Sequence, residues 1–367
     1  MVMRPKLTRE MAYVAGASAI VGCVVGLVAA GFRFGVDALQ HGLGALAAAV
    51  GGRAIPSWLV PGLSVAALAV VAYWLVRRFA PEAGGSGVQE VEGALDEVRP
   101  LRWKRVLPVK FIGAMMALGG GMALGREGPT VHMGGAVGAM VNKLLRLGSS
   151  ARHVLIASGA AAGLSAAFNA PLSGVIFIIE EMRPRFHYGF VSFQGVLIAS
   201  VCADVVTRIS LGQQPLIDTS AYAPPSLANL PFFLLYGGLI GGVAVVFSRS
   251  LVAVLNRVDA MKPRGRVLAA AIVGLAIGAL GSVDSEWVGG GYTAIHLALD
   301  LSTPLASLLF LFGIRFVLTL ASYGSGVPGG IFAPMLALGT LFGVAFAQSI
   351  SDFLPGLGLT SGIFAIA

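Results

Sequence analysis

Apolar residues dominate this chain in long stretches that begin at Ala12 and recur to the last residue, and the few polar positions gather between them. Many stretches approach the roughly 20 residues that carry a helix across a bilayer. The pattern therefore predicts a polytopic, all-helical membrane protein. The first stretch, Ala12 to Ala30, is followed by more of its kind and not by a soluble domain, so it reads as a first crossing and not as a removable signal. Several stretches are too short or are broken by Gly and Pro: 83–94, 117–138 and 324–343. Such interruptions predict broken helices, because backbone freed at membrane depth must be satisfied by protein or by a water-filled cavity near the midplane.

Composition agrees: 56% of the 367 residues are hydrophobic and 11% are charged, against roughly 25% charged in an ordinary soluble domain. The net charge of +8 does not point to nucleic acid, because the basic residues cluster beside the apolar stretches. The clusters are Arg4, Lys6 and Arg9; Arg77 and Arg78; Arg99, Arg102, Lys104 and Arg105; Arg183 and Arg185; and Lys262, Arg264 and Arg266. Read by the positive-inside rule, they place residues 1–11 and the 99–110 loop in the cytoplasm, with crossings at about 12–36 and 54–78 between them. Residues 12–367 are then one transmembrane domain. Cys23 and Cys202 lie inside apolar stretches and predict neither a disulfide framework nor a metal site. The five histidines, His41, His132, His153, His187 and His296, have no ligand spacing, so no metal is expected.

Three clusters place glycines directly before an apolar helix: Gly84-Gly85-Ser86-Gly87-Val88, Gly125-Arg126-Glu127-Gly128-Pro129, and Gly326-Val327-Pro328-Gly329-Gly330-Ile331-Phe332. A helix N-terminus offers unpaired N–H groups and a partial positive charge, and glycine lets a ligand come close to the backbone. An anion bound by dipoles alone can also leave again. The second and third clusters share the pattern G-x-x-x-P, at Gly125–Pro129 and Gly330–Pro334, each followed by glycines four apart, Gly134 and Gly138, then Gly339 and Gly343. That echo is compatible with an inverted repeat whose members meet at a central site. Most of the glycines, Gly134 and Gly138 included, read as close helix packing.

Ser86 is the hydroxyl of the first cluster and can donate to a halide or cap the helix expected near Gln89. Glu127 is an ionisable group between apolar stretches, a functional site by default in a membrane; its structural alternative is a salt bridge with Arg126, although adjacent residues on a helix do not face each other. As a tethered anion it can occupy an anion site, and it can leave once protonated. Glu180 and Glu181 close the apolar stretch 171–179 and suit either proton exchange with water or a solvated helix end paired with Arg183 or Arg185. Asp204 with Arg208, four apart, and Glu92 with Lys110 read as structural pairs. A membrane-embedded nucleophile at Ser86 with a distant His would make an enzyme, but no motif supports it.

At these clusters the chain resembles the CLC family of chloride channels and exchangers, through GSGVQEVEGAL (85–95), GREGPTV (125–131), AAFNAPLSGVIFIIEEMRP (166–184) and GVPGGIFAPMLALGT (326–340). The connecting RPLRWKRVLPVKF (99–111) is similar to that of the bacterial proton-coupled exchangers. The resemblance implies an inverted-repeat fold of tilted and broken helices. It implies a selectivity filter formed by Gly85, Ser86, Gly87, Val88 and Gln89, by Gly125, Arg126, Glu127, Gly128 and Pro129, and by Gly330, Ile331, Phe332, Ala333 and Pro334. Chloride ligands would be Ser86 and the N–H groups of Ile331 and Phe332. Glu127 would be the gate and outer proton acceptor, and Glu181 the inner proton-transfer residue. It further implies a homodimeric chloride/proton antiporter of the bacterial inner membrane, working without a cofactor; the alternative is a passive chloride channel, which would be expected to lack the acid at 181. Gln89 stands where the family commonly has proline, which restores an N–H near a helix start. The chain stops at Ala367 inside an apolar stretch, where the family continues through helices carrying a chloride-coordinating tyrosine and part of the dimer interface, so a C-terminally incomplete chain is expected.

Overall fold

The computed structural model of the chain describes residues 5–50, 56–182, 189–213, 229–300, 303–353 and 361–366. Among them the regular elements are helical: α1 (Pro5–Val50), α2 (Leu59–Phe79), α3 (Val88–Leu95), α4 (Trp103–Gly119), α5 (Glu127–Leu144), α6 (Ser149–Phe168), α7 (Pro171–Glu181), α8 (Phe190–Leu211), α9 (Leu230–Ala260), α10 (Pro263–Gly281), α11 (Tyr292–Leu299), α12 (Leu305–Gly324), α13 (Phe332–Phe353) and α14 (Ser361–Ile366). Eight of these helices are long and apolar enough to cross a membrane. The expected interruptions fall at 84–87, 120–126 and 325–331, between helices and directly before α3, α5 and α13.

The helix that carries the first expected crossing runs past residue 36, with α1 continuing to Val50. At about 1.5 Å per residue its 46 residues exceed the roughly 30 Å of bilayer hydrocarbon. Its last third is rich in Ala and Leu, strong helix formers, and Gly42 and Gly44 are too isolated to stop it.

Burial sorts the helices into a centre and a periphery. Fifteen of the 18 residues of α5 are buried, and its partner α6 is buried over most of its length. The two lie backbone to backbone: a Cβ added at Gly134 would run into the Gly159 carbonyl and one at Gly138 into that of Leu155, while Gly159 and Gly163 meet α5 in return. Small residues are what permit such an approach. By contrast α9 buries only Tyr236 and Phe247 among 31 residues, as a helix facing lipid tails can. A 2.7 Å ion pair joins Asp204 to Arg208 along α8, and Arg208 also donates to the Asn169 carbonyl at 2.7 Å. Lys110, fully buried on α4, donates to the carbonyls of Ala83 at 3.1 Å and Gly85 at 2.6 Å, so it supports the loop before α3.

Candidate anion site at three helix N-termini

The three glycine clusters meet. Gly329 N–H donates to the Gly85 carbonyl at 3.0 Å, and Gly125 and Gly330 donate to each other at 2.7 Å, forming two isolated bridges, one parallel and one antiparallel. These bonds satisfy backbone that no helix satisfies, and they bring the N-termini of α3, α5 and α13 to one place. Gly85, Gly87 and Gly326 have φ of +57°, +88° and +79°, values that a side chain disfavours. Gly87 is the residue that caps α3, with no side-chain bond. Ser86 is therefore not the N-cap. It is buried, its N–H donates to the Tyr323 hydroxyl at 3.4 Å, and it packs against the start of α5, where a Cβ on Gly128 would lie 3.0 Å from Ser86 Cα. Val88 and Gln89 open α3, and Gly128 and Pro129 lie in the buried first turn of α5.

Glu127 is 1% exposed and turns its carboxylate away from its own helix. Oε1 accepts a hydrogen bond from the Tyr292 hydroxyl at 2.6 Å, and Oε2 accepts the Ala333 N–H at 3.3 Å. The carboxylate thus sits on the N-terminus of α13, among N–H groups that lack helical partners. The salt bridge with Arg126 is not formed. Arg126 instead lays its guanidinium over the Tyr292 ring, 5.0 Å from the centroid, and donates to the Ala167 carbonyl at 3.3 Å.

Ile331 precedes α13 and its carbonyl accepts the Met335 N–H at 2.9 Å. Ala333 and Pro334 are buried behind it. Phe332 is 39% exposed, with its ring edge-on to Phe168 and Phe177 at 5.4 and 6.3 Å. Phe177 belongs to α7, which ends at Glu181. Residues four apart share a helix face, so Glu181 continues the row of Phe177, whereas Glu180 continues the exposed row of Leu172 and Ile176. Both glutamates are exposed in the single chain. Arg183 and Arg185, their expected partners, lie outside the described residues.

Two contributors escaped the sequence reading. Tyr292 follows Gly289-Gly290-Gly291, a fourth glycine cluster before a helix. Arg315 is fully buried in an apolar helix, where an ionisable residue is itself a signal; it donates to the carbonyls of Glu286, Val288 and Gly289 at 2.8 to 2.9 Å, holding the loop that delivers Tyr292. His132 is buried with its ring against Gly87, and neither ring nitrogen has a hydrogen-bond partner. Ser86 and His132 are therefore not joined as nucleophile and base.

Interrupted helices that turn their N-termini onto one buried point define a class of polytopic membrane protein suited to moving anions. Residues 68–367 match the voltage-gated chloride channel family, and the chain belongs to it. It is 47% identical over 357 residues, 95% of this chain and 76% of the relative, to the H(+)/Cl(-) exchange transporter ClcA of Vibrio vulnificus, and 46% identical over 355 residues to that of Salmonella paratyphi B, covering 95% and 75%. Among solved structures, a slow cyanobacterial Cl-/H+ antiporter superposes with a TM-score of 0.93 at 36% identity, covering 96% of this chain and 83% of that one. A CLC-type fluoride/proton antiporter shares the fold at 20% identity and a TM-score of 0.77.

Proposed function

We propose that this protein exchanges chloride for protons across a bacterial inner membrane, as a homodimer in which each subunit carries its own pathway. Residues 12–367 form the transmembrane domain and residues 1–11 a cytoplasmic segment. Chloride is held by Ser86 and by the N–H groups of Ile331 and Phe332, within the filter of residues 85–89, 125–129 and 330–334. Glu127 is the gate and the outer proton acceptor; Glu181 passes protons on the inner side. The cycle moves chloride and passes protons between oxygens, making and breaking only O–H bonds, so no cofactor is called for.

The observation that carries this reading is the Glu127 carboxylate resting on the N-terminus of α13. A carboxylate in that position is an anion on a tether, standing where a free anion would be stabilised by the same dipoles. Protonation removes its charge and with it the attraction, so the side chain can swing away and admit chloride. One group then couples the two ions. Glu181, on the row of Phe177, and the names of the ClcA relatives favour exchange over the second reading, a passive chloride channel with the same filter. The test is chloride efflux from liposomes with external pH recorded: protons driven uphill by a chloride gradient are expected, and chloride movement with no proton counter-movement would establish the channel.

A further inference from the structure

We propose that the Tyr292 hydroxyl is the latch that holds the Glu127 gate shut, on a residue that also lines a separate cavity. The inference rests on the reading of Glu127 as the gate. The 2.6 Å bond from the phenol to Oε1 is the shorter of the two bonds that Glu127 accepts. A donor to an ionised oxygen makes a stronger bond than a donor to a neutral one, so the phenol favours the charged, closed carboxylate and must be given up when the gate opens.

Tyr292 is built into this position. Gly291 turns the chain with φ +103° into the first residue of α11, Arg126 stacks on the ring, and Arg315 fixes the loop behind it. The same tyrosine lines a cavity of about 670 Å³ between the ends of α1, α4 and α10 and the start of α11, together with Gln40, Gly120, Gly281, Gly290 and Thr293. Glu127 does not line that cavity. Tyr292 therefore borders solvent space and also holds a carboxylate that is 1% exposed.

The charged groups around the pair are Arg126 on the ring, Arg33 of α1 beside Arg126, Asp37 beside Arg33, and the buried Arg315 of α12. All of them remain in Tyr292→Phe, which also keeps the ring stack, so that variant isolates the hydroxyl. With the latch gone the charged form of Glu127 loses a donor, and the pH on the cavity side at which chloride turnover is half-maximal should rise by about one unit. In a Glu127→Gln background the second substitution should leave turnover against pH unaltered. An unshifted or lowered midpoint in Tyr292→Phe, with Glu127→Gln abolishing pH dependence, overturns the latch and spares the gate. If Glu127→Gln itself keeps pH dependence and proton coupling, the gate reading falls and the latch with it. Should the Phe variant fail to fold, Tyr292→Met, which fills the site without a hydroxyl, must give the same rise.

Discussion

Gly125 and Gly330 exchange two hydrogen bonds, each N–H donating to the other's carbonyl at 2.7 Å. A reciprocal antiparallel pair of this kind has a local two-fold between its members. The two residues open the G-x-x-x-P segments of the two halves, so the pair lies where an inverted repeat would meet its own image. Close approach also explains why Gly330 is glycine: a Cβ there would lie 3.0 Å from the Gly128 nitrogen and 3.2 Å from the Gly125 oxygen. The obstacles are backbone and cannot step aside as a side-chain tip could.

Gly330→Ala should therefore destabilise the protein by about 1–3 kcal/mol, the usual range for forced overpacking. Gly339→Ala is the control, since a Cβ there meets nothing within 4 Å, and alanine in a helix gains about 0.5–1 kcal/mol over glycine. Thermal unfolding of both variants in the same detergent should move in opposite directions. Equal effects would show that the tight approach at Gly330 is not a constraint.

Which features were legible depended on how far apart in the chain their causes lie. The helix breaks, the glycine clusters and the pair Asp204–Arg208 come from neighbours in sequence, and each was readable. Glu127 was readable as an ionisable group in an apolar setting, but its partners Tyr292 and Ala333 lie 165 and 206 residues away, and local periodicity carries no such information. Ser86 as an N-cap was a reasonable local alternative, displaced because Gly87 adopts the left-handed turn that starts α3. The two glycines of the later echo differ in their surroundings: Gly343 packs against the Phe364 carbonyl, whereas Gly339 faces open space. The end of α1 was not legible, because the Ala-rich stretch to Val50 carries no strong stop signal.

Glu127→Gln removes the switchable charge and keeps the shape. The amide cannot act as an anion on α13, so it should no longer compete with chloride or carry a proton. Chloride should pass without proton coupling and without pH dependence from that gate, measured as efflux from liposomes over a series of external pH values. Retention of coupled proton movement would remove Glu127 from the mechanism.

Ser86→Pro tests the first filter segment. Proline removes the hydroxyl and also the N–H that donates to Tyr323, and the family resemblance implies that proline at this position goes with a preference for nitrate. Chloride should be preferred over nitrate in the unmodified protein, with the preference moving towards nitrate in the variant, read as the ratio of the two anions' initial efflux rates. Equal rates before substitution would count against Ser86 and direct attention to Gln89, three residues on.

Glu181→Gln separates the two acids, which share a chemistry and are assigned different duties. Glu127 rests on the N-terminus of α13. Glu181 is placed apart, at the end of α7, reached through the row of Phe177 that packs on Phe332. A residue so placed can pass protons between water and the interior without being able to block the anion. Its amide variant should therefore abolish uphill proton movement while chloride still passes and the Glu127 gate still responds to pH, a combination that Glu127→Gln cannot produce. Glu180→Gln supplies the internal control, because Glu180 continues the exposed row of Leu172 and Ile176 and should leave coupling close to that of the unmodified protein. The measurement is proton uptake driven by an imposed chloride gradient, with all variants reconstituted at the same density. Normal pumping by Glu181→Gln together with its loss in Glu180→Gln would transfer the inner role by one residue. Normal pumping by both would leave α7 outside the proton route, and the acid that completes it would have to lie on another element.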